Sequence, residues 1–203
     1  MSASLSIEKD LRVLCAGNQG QAVHQATVSK FGSSLEYQFT PEIADVFLQV
    51  EKKQADFGVI PIWLHGEGVQ LASLASFMAY EVFITAEIQM SQSDSPAEPN
   101  RFFVLGNTRN PASATDHNFL VFQMTHSLDR CATLLILLKK QNLSVFHCIK
   151  NEKAAGVYDF QIFAEVDGDH KVILEEISAS LPADMVCSWK IIGNYPKIKA
   201  AYF

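Results

Sequence analysis

Apolar and polar positions alternate in blocks over residues 1–88, and the spacing within the blocks predicts strands and helices in turn. Compact apolar runs predict strands at residues 11–16, 35–39, 57–62 and 82–88. The helices predicted between them are residues 21–31, a helix with Ile43, Val46, Phe47 and Val50 on one face, and a helix with Leu71, Leu74, Ala75 and Met78 on one face. Alternating strands and helices are typical of an α/β fold with a mostly parallel sheet and helices on both faces.

Two polar stretches interrupt this pattern. Residues 89–99 contain two prolines and show no periodicity, so we expect a linker or a long loop there. Residues 100–106 return to an apolar strand pattern, and residues 107–117 are predicted to be a second polar linker. The chain therefore divides into a first domain, residues 1–107, and a second domain, residues 118–203.

The second domain has its own order of predicted elements. Strands are predicted at residues 118–124, 143–149, 157–166 and 186–192, helices at residues 128–140 and 170–181, and turns at residues 151–156 and 167–169. The apolar faces of the two helices are Leu128, Ala132, Leu135 and Leu138 in the first, and Ile173, Leu174, Ile177 and Leu181 in the second. This βαββαβ order is that of the ferredoxin-like fold.

Composition and charge narrow the class of protein. The chain has 203 residues, of which 48% are hydrophobic and 19% charged, as is typical of a globular protein. Its formal net charge of −6, with no run of Lys or Arg, argues against a nucleic-acid partner. No apolar segment reaches the roughly 18–20 residues needed to cross a bilayer, and residues 1–12 lack the apolar core of a signal peptide. We therefore expect a cytoplasmic protein without a membrane partner.

The four cysteines do not suggest a metal site. Cys15, Cys131, Cys148 and Cys187 lie in separate apolar runs, and no CxxC pair is present. Reduced thiols packed as small apolar side chains are the simpler interpretation. His147 is adjacent to Cys148, so in a strand the two side chains would point to opposite faces. We predict no metal and no other cofactor.

A glycine turn at residues 17–20 separates the first predicted strand from the first helix. Such a turn directs backbone N–H groups and the positive end of the helix towards one point, which suits an anion. A tight turn without a ligand explains the same residues, because this glycine spacing matches neither a P-loop nor a dinucleotide fingerprint. Both interpretations stay open on the residues alone.

Residues 55–68 read ADFGVIPIWLHGEG, an apolar strand followed by a loop with two glycines, a histidine and an acid. The ends of such strands are where open α/β sheets bind their ligands. This stretch resembles the ADFGVVPIENSxEG segment of prephenate dehydratases. The turn resembles the family's GPEGTFSH segment at Gly17, Gly20 and His24. Residues 100–106 are similar to the family's TRF strand, with Asn100 in place of the threonine and with Arg101 and Phe102 kept.

The second half of the chain resembles the ACT domain that follows the catalytic domain in that family. Asn142-Leu143-Ser144 stands at the family's NLT, and Tyr158-Asp159-Phe160 stands at its YxF. Asp167-Gly168 matches the turn motif, and Gly193-Asn194-Tyr195-Pro196 matches GSYP closely. His126-Ser127-Leu128 and His147-Cys148-Ile149-Lys150 replace the two motifs through which the family binds phenylalanine at a dimer interface.

The resemblance implies a periplasmic-binding-protein-like lobe followed by an ACT domain. Family dehydratases have two lobes with the substrate between them, but here only residues 89–99 join the outgoing strand to the returning one. A segment that short cannot bury a core of its own, so we expect the second lobe to be absent. The implied site residues are Asn100, Arg101, Phe102 and Glu67 for catalysis, Gly17, Gly20, His65 and Gly68 for substrate binding, and Ser127, Leu128, Asn142, Leu143 and Ser144 for amino-acid binding.

The chemistry of prephenate dehydration makes the substitution at Asn100 important. The reaction expels a hydroxyl group with loss of carbon dioxide, so it needs a proton donor and partners for two carboxylates. An amide donates hydrogen bonds but is not an acid–base group. Arg101 either binds a carboxylate or pairs with Glu67 or Asp56, and His65 either forms an acid–base pair with Glu67 or is a surface histidine. Trp63 either stacks on an aromatic ring or fills the space of the absent lobe.

These observations lead to a main functional hypothesis and two alternatives. The main hypothesis is a catalytically impaired, prephenate-dehydratase-like protein of phenylalanine metabolism that binds a small aromatic acid or amino acid, or a regulatory partner. The first alternative is a minimal dehydratase or related prephenate-using lyase whose site is completed across a dimer. The second is an interaction module with an apolar patch around Trp63. A homodimer formed through the ACT domain is expected, because it would cover an exposed sheet edge.

Overall fold

The computed structural model describes residues 11–92, 95–111, 116–168 and 170–196. These residues divide into two compact units. The first unit contains the described residues up to Glu81 together with residues 88–107, and the second contains residues 82–87 and the described residues from Thr108 onwards. Among the described helices, none is long and apolar enough to cross a membrane.

The first unit is a small α/β sheet with three helices. Its elements in chain order are β1 (Val13–Ala16), α1 (Ala22–Phe31), β2 (Tyr37–Thr40), α2 (Ile43–Glu51), β3 (Phe57–Leu64), β4 (Gly68–Val69), α3 (Leu71–Ala79), the second part of β5 (Phe83–Gln92) and β6 (Ser95–Gly106). The strand order is β2-β1-β3-β6, with β4 beside β3. Strand β1 pairs in parallel with β2 and β3, whereas β6 runs antiparallel to β3. The predicted parallel arrangement therefore holds for three strands, and the returning strand β6 runs the opposite way.

The polar stretch at residues 89–99 is not the loop that its composition suggests. Strand β5 continues to Gln92, strand β6 begins at Ser95, and the two strands are hydrogen-bonded neighbours in the sheet. Strands can form in polar sequence when a neighbouring strand pairs with their backbone groups. The prediction of a linker was wrong for residues 89–92 and 95–99, and residues 93 and 94 lie outside the described part of the chain.

Helix α2 buries the predicted face, whereas α3 does not. Val46, Phe47 and Val50 of α2 are buried, but in α3 the buried residues are Ser73, Leu74, Ser76 and Phe77. Leu71, which was predicted to face the core, is 54% exposed. Burial of the two serines is possible because their hydroxyl groups donate to the carbonyl oxygens of Pro61 and Ala72, at 2.5 Å and 2.8 Å.

The second unit has the predicted βαββαβ order. Its elements are the first part of β5, β7 (Asp116–His126), α4 (Leu128–Lys140), β8 (Ser144–Ala154), β9 (Val157–Asp167), α5 (His170–Ser180) and β10 (Ser188–Pro196). The strand order is β10-β7-β9-β8, and these pairs are antiparallel. Both helices pack on one face of the sheet, over a core that includes Leu120, Phe122, Ile162, Leu134 and Leu174.

In the second unit, several observed strand bounds differ from the predicted ones. Strand β8 continues to Ala154, so the predicted turn at residues 151–156 shrinks to two residues, and β10 continues through the motif at residues 193–196. Strand β7 begins at Asp116, inside the predicted linker at residues 107–117, of which residues 112–115 lie outside the described part of the chain. The first residues of the chain, 1–10, and Asp169 also lie outside it.

The predicted apolar face of α4 was correct in part, because Leu138 is buried and Leu135 packs against the core, and the bounds of the helix were predicted correctly. Its buried residues are Cys131, Leu134 and Leu138, whereas Leu128 is 51% exposed and Ala132 is exposed. The core side of the helix includes the small thiol of Cys131, which the pattern of leucines alone does not reveal. In α5 the prediction is better, because Leu174 and Ile177 are buried and Ile173 and Leu181 pack against the same core.

Candidate functional site

The candidate site lies at the carboxyl end of β3, where the chain turns back into β4. Trp63 and Leu64 were predicted to belong to a loop, but they are the last residues of β3 and pair with Val69 and Gly68 of β4. On the other side of β3, Trp63 pairs with Arg101 of β6. The strand is longer than its apolar run because it is paired on both sides, and Trp63 and Leu64 are half-buried.

The side chain of Asn100 forms a hydrogen bond with the protein backbone at this site. Its side-chain oxygen Oδ1 accepts a hydrogen bond from the backbone N–H of His65 at 2.7 Å, and the residue is only 6% exposed. The amide therefore holds the turn that follows β3 against β6. Asn100 was predicted to be catalytic, and its observed contact is with the protein backbone.

Among the described residues, the carboxylate of Glu98 lies beside the His65 ring. The distance from His65 Nδ1 to Glu98 Oε2 is 3.5 Å, and the ring of Trp63 lies edge-on to the imidazole with centroids 6.3 Å apart. Glu67, the predicted partner of His65, instead accepts a hydrogen bond from the side chain of Gln70 at 3.3 Å. Glu98 was missed because residues 89–99 were predicted to be a loop. Had β6 been extended by two residues, the alternation of a strand would have put Glu98 and Asn100 on one face.

The two residues after Asn100 have different positions. Phe102 is 1% exposed and belongs to the core of the first unit, so it is not positioned to touch a ligand. Arg101 lies beside Trp63 at the carboxyl end of β3, whereas Asp56 precedes the amino end of the strand. Seven residues of extended chain span about 23 Å, so Arg101 and Asp56 do not form the predicted pair. Asp56 instead accepts hydrogen bonds from the backbone and side chain of Arg12, at 3.0 Å and 3.2 Å.

The glycine turn after β1 lies at the same edge of the sheet, because β1 and β3 are parallel neighbours. Three of its N–H groups have acceptors within the protein: Gly17 donates to the carbonyl oxygen of Thr40 at 2.7 Å, Asn18 to the side chain of Gln21 at 2.7 Å, and Gly20 to Nδ1 of His24 at 3.1 Å. This hydrogen bonding favours a tight turn over an anion site. Gly17 and Gly20, which were predicted to bind substrate, therefore serve the backbone conformation here, with φ angles of 119° and 87°.

The turn after β3 is exposed at residues 65–67. A cavity of about 460 Å³ lies beside β2 and another in the second unit, and residues 63–68 and 98–102 line neither of these two. Glu67 is exposed and Gly68 is half-buried with a φ of 77°. Glycine at position 68 suits that left-handed conformation, which allows β4 to begin directly after the turn.

The residues predicted to bind an amino acid lie at opposite ends of α4. Ser127 precedes the helix and Leu128 begins it, whereas Asn142, Leu143 and Ser144 follow it. A helix of 13 residues is about 20 Å long, so the two groups do not form one pocket within a single chain.

Asn142 and Leu143 have a clear role in ending the helix. The N–H of Asn142 donates to the carbonyl oxygen of Lys139 at 3.1 Å, and the N–H of Leu143 donates to that of Leu138 at 3.0 Å. These two bonds, with Asn142 at a φ of 58°, form a Schellman motif. The contact of buried Leu143 with the α4 core completes it.

A charged cluster in the second unit was not predicted. His117 Nδ1 lies 2.6 Å from Asp167 Oδ1, and His117 Nε2 lies 3.6 Å from Glu165 Oε2. Burial lowers the pKa of His117, but the hydrogen bonds and charges of Glu165 and Asp167 outweigh it, so the pKa is raised above its usual value. Within the described residues, no group of three His, Cys, Asp or Glu side chains is arranged to hold a metal ion.

Comparison with protein families gives one match that includes the site. Residues 13–108, a little under half of the chain, match the family described as "Prephenate dehydratase". Over 88 residues the chain is 41% identical to the bifunctional chorismate mutase/prephenate dehydratase of Aquifex aeolicus (strain VF5). That alignment covers 43% of this chain and 24% of the relative, so the chain spans about a quarter of the length of that curated relative.

Solved structures share the fold at low sequence identity. A prephenate dehydratase from Arthrobacter aurescens in complex with L-Phe has a TM-score of 0.68 at 12% identity, covering 92% of this chain and 90% of that one. GqqA, described as a novel type of quorum quenching acylase, has a TM-score of 0.68 at 15% identity, and the match covers 92% of this chain and 95% of that one. The chain thus has the mixed, sheet-rich α/β fold of these structures. The family match and the curated relative support the prephenate dehydratase family for residues 13–108.

Proposed function

We propose that this protein is a prephenate-dehydratase-like protein of phenylalanine metabolism that binds a small aromatic acid at the carboxyl end of β3. The family match of residues 13–108 supports the substrate class. In this proposal the chain has a single lobe and an ACT domain, and Asn100 does not provide the proton that efficient dehydration needs.

The state of Asn100 is the observation that carries the proposal. Its carbonyl oxygen is occupied by the backbone N–H of His65, and the residue is buried. An amide in that position has no proton to give at neutral pH, whichever way a ligand approaches it. Residues 65–67 of the site are exposed, and developing charge is stabilised poorly beside water because the dielectric constant there is high. We therefore expect binding with dehydration much slower than in a two-lobed dehydratase.

Arg101 is proposed to bind a carboxylate of the ligand. It lies at the end of β3 next to Trp63, and a guanidinium group matches a carboxylate with two parallel hydrogen bonds. The indole ring of Trp63 offers an apolar surface for the ring of the ligand. Together these side chains would recognise an acid with a six-membered ring, such as prephenate or phenylpyruvate.

Binding and turnover should be measured separately on the purified full chain. Thermal unfolding with prephenate, phenylpyruvate and phenylalanine tests binding, because a ligand that binds only the folded state raises the midpoint. We expect a shift with the two acids that is lost in Arg101→Ala and kept in Arg130→Ala, which removes an arginine paired with Asp184 in the second unit. Equal shifts in the two variants, or no shift in the unchanged protein, would contradict the proposal.

Phenylpyruvate formation from prephenate at neutral pH tests the catalytic part of the proposal. We expect little formation above the spontaneous rate, and more in Asn100→Thr, which restores the residue implied by the family resemblance. An N-acyl amide belongs in the same panel, because one structural neighbour is described as an acylase. Rapid formation by the unchanged protein would favour the alternative of a minimal dehydratase completed across a dimer.

Amino-acid binding and dimerisation by the second unit are parts of the same proposal. A structural neighbour was crystallised with L-Phe, and β8 is the edge strand of the second unit's sheet, with Val145 40% exposed. Since Ser127 and Asn142 lie at opposite ends of α4, an amino-acid site made from both needs a second chain. Sedimentation with and without phenylalanine tests this, and a monomer under both conditions would exclude such a site.

A further inference from the structure

Two thiols meet between helix α4 and strand β8 in the second unit. Helix α4 ends at Lys140 and β8 begins at Ser144, so the helix and the strand that it contacts run in opposite directions. Cys131 lies about 13 Å back along the helix from Lys140, and Cys148 lies about 13 Å along the strand from Ser144. The two cysteines are therefore level with each other where the helix covers the strand.

The pairing of β8 with β9 turns the side chain of Cys148 towards the helix. Cys148 stands opposite Ile162, and residues directly opposite each other in an antiparallel pair point to the same face of the sheet. Ile162 belongs to the core on which α4 packs, and Cys131 belongs to the same core. The thiols of Cys131 and Cys148 are hydrogen-bonded to each other, as their positions along the two elements require.

The two thiols differ in their access to solvent. Cys148 is exposed on β8, which is the edge strand of the sheet, whereas Cys131 is only 5% exposed. Lys150 lies on the same face of β8, two residues after Cys148, and its ammonium group is held 4.7 Å from the centre of the Tyr158 ring. An oxidant from solvent therefore reaches Cys148 first, beside a positive charge that favours its thiolate.

The ionisation of the two thiols is unequal as well. Burial raises the pKa of Cys148, although the hydrogen bond with Cys131 and the charge of Lys150 oppose this effect. Burial and the neighbouring Cys148 both raise the pKa of Cys131, to about 11. Cys148 is therefore the thiol suited to attack an oxidant, and both thiols react slowly at neutral pH because little thiolate is present.

We propose that Cys131 and Cys148 form a reversible dithiol–disulfide pair, a modification site for which the oxidant is a hydroperoxide. An exposed thiol beside a second thiol that can resolve its oxidised form is the arrangement of redox-sensitive cysteines. The disulfide joins the first turns of α4 to the edge strand and fixes the two elements to each other. This inference is independent of the ligand proposed at the end of β3.

Two steps oxidise the pair, and they balance with one molecule of hydroperoxide. The Cys148 thiolate attacks the terminal oxygen, the O–O bond breaks, Cys148 becomes a sulfenic acid, and the leaving oxygen takes a proton from solvent. The Cys131 thiol then attacks the sulfur of Cys148, the S–O bond breaks, and the hydroxide leaves as water with the thiol proton. The two thiols lose two electrons, which the hydroperoxide gains. A dithiol reductant reverses the modification by thiol–disulfide exchange.

The test treats the purified full chain with hydrogen peroxide at about pH 8.5 and then blocks the remaining thiols with an alkylating reagent. We expect two of the four cysteines to escape alkylation, and the tryptic peptides 131–139 and 141–150 to be recovered as one disulfide-linked species. The midpoint of thermal unfolding should rise by about 10 °C, because the closed loop restricts the unfolded chain. Dithiothreitol should reverse both changes.

Three variants assign the effect to this pair. Cys148→Ser and Cys131→Ala each remove one thiol, and Cys187→Ser is the control, because it removes a partly exposed thiol of the same unit. We expect neither the linked peptide nor the shift in the first two variants, and both in the control. Cys148→Ser changes an exposed side chain, so it decides the outcome even if Cys131→Ala does not fold.

Oxidation in concentrated urea separates the folded geometry from chance pairing. The four cysteines should then form a mixture of disulfides, with the pair of Cys131 and Cys148 no longer dominant. A native chain that gives the same mixture would overturn the proposal. So would a dimer linked between the Cys148 residues of two chains, or Cys148 converted to sulfinic acid while Cys131 stays free.

Discussion

At the scale of residues, Gly193 packs too closely against a neighbouring strand to leave room for a side chain. Gly193 of β10 lies against Ile84 of β5, and a Cβ atom added there would stand 2.6 Å from the carbonyl oxygen of Ile84 and 2.5 Å from its Cβ. Backbone atoms do not move aside as the end of a flexible side chain does. The glycine in the GNYP motif therefore has a packing reason that the motif itself does not reveal.

Gly193→Ala is expected to lower the free energy of unfolding by about 3 kcal/mol, because the added methyl group overpacks the contact with β5. Gly156→Ala is the matched control: nothing lies near its added Cβ, and its φ of 74° costs about 1 kcal/mol in a non-glycine residue. Urea unfolding of both variants measures the difference. Equal losses would mean that the strand pair adjusts without cost.

Because of His117, the free energy of unfolding is expected to decrease as pH rises. Its pKa is raised above 6.5 in the folded protein, since the charges and hydrogen bonds of Glu165 and Asp167 outweigh burial. The folded state therefore holds the proton more tightly than the unfolded state does. The stabilisation by protonated His117 is fully present below about pH 6.5, which is its pKa in the unfolded chain. It is lost as pH rises through the raised pKa of the folded protein.

Urea unfolding from pH 5.5 to 8.5 should accordingly show a decline in stability above pH 6.5 that is smaller in His117→Gln. The difference between the two proteins isolates His117, because all other titrating groups are shared. A parallel pH dependence in both proteins would show that His117 binds its proton equally well when unfolded.

At the scale of elements, helix bounds and helix faces have different origins. The bounds of α4 follow from local signals: Ser127 precedes the helix, and Asn142 and Leu143 end it through the Schellman motif. Its buried face depends on where the helix contacts the sheet, and the leucine pattern wrongly included Leu128 and missed Cys131. The same happens in α3, where two serines are buried.

Two substitutions to alanine, one at a buried and one at an exposed position, test the observed face of α4. Leu134→Ala should cost about 2–4 kcal/mol, because it removes a fully buried side chain from the core of the second unit. Ile136→Ala, at a position 57% exposed, should change stability by no more than about 0.5 kcal/mol. Comparable losses from both would mean that Ile136 is covered in solution, for example by a second chain.

At the scale of the whole molecule, the order of elements was predictable and the limits of the strands were not. The βαββαβ order of the second unit and the strand–helix alternation of the first follow from hydrophobic period and turn residues. Strands β5 and β6 extend through a polar segment because each has a neighbour to pair with, which residue patterns do not encode. That extension is what brings Glu98 to His65.

The sequence by itself determined the kinds of elements, their order and the segment around which a site was expected. Those features depend on contacts between residues close in the chain, which hydrophobic period and turn chemistry record directly. Only the tertiary structure decided that Glu98 lies beside His65, that Asn100 supports the backbone, and that three N–H groups of the glycine turn have internal acceptors. Each of these facts joins residues from separate strands or loops, and strand register, which sets such contacts, is a property of the folded sheet.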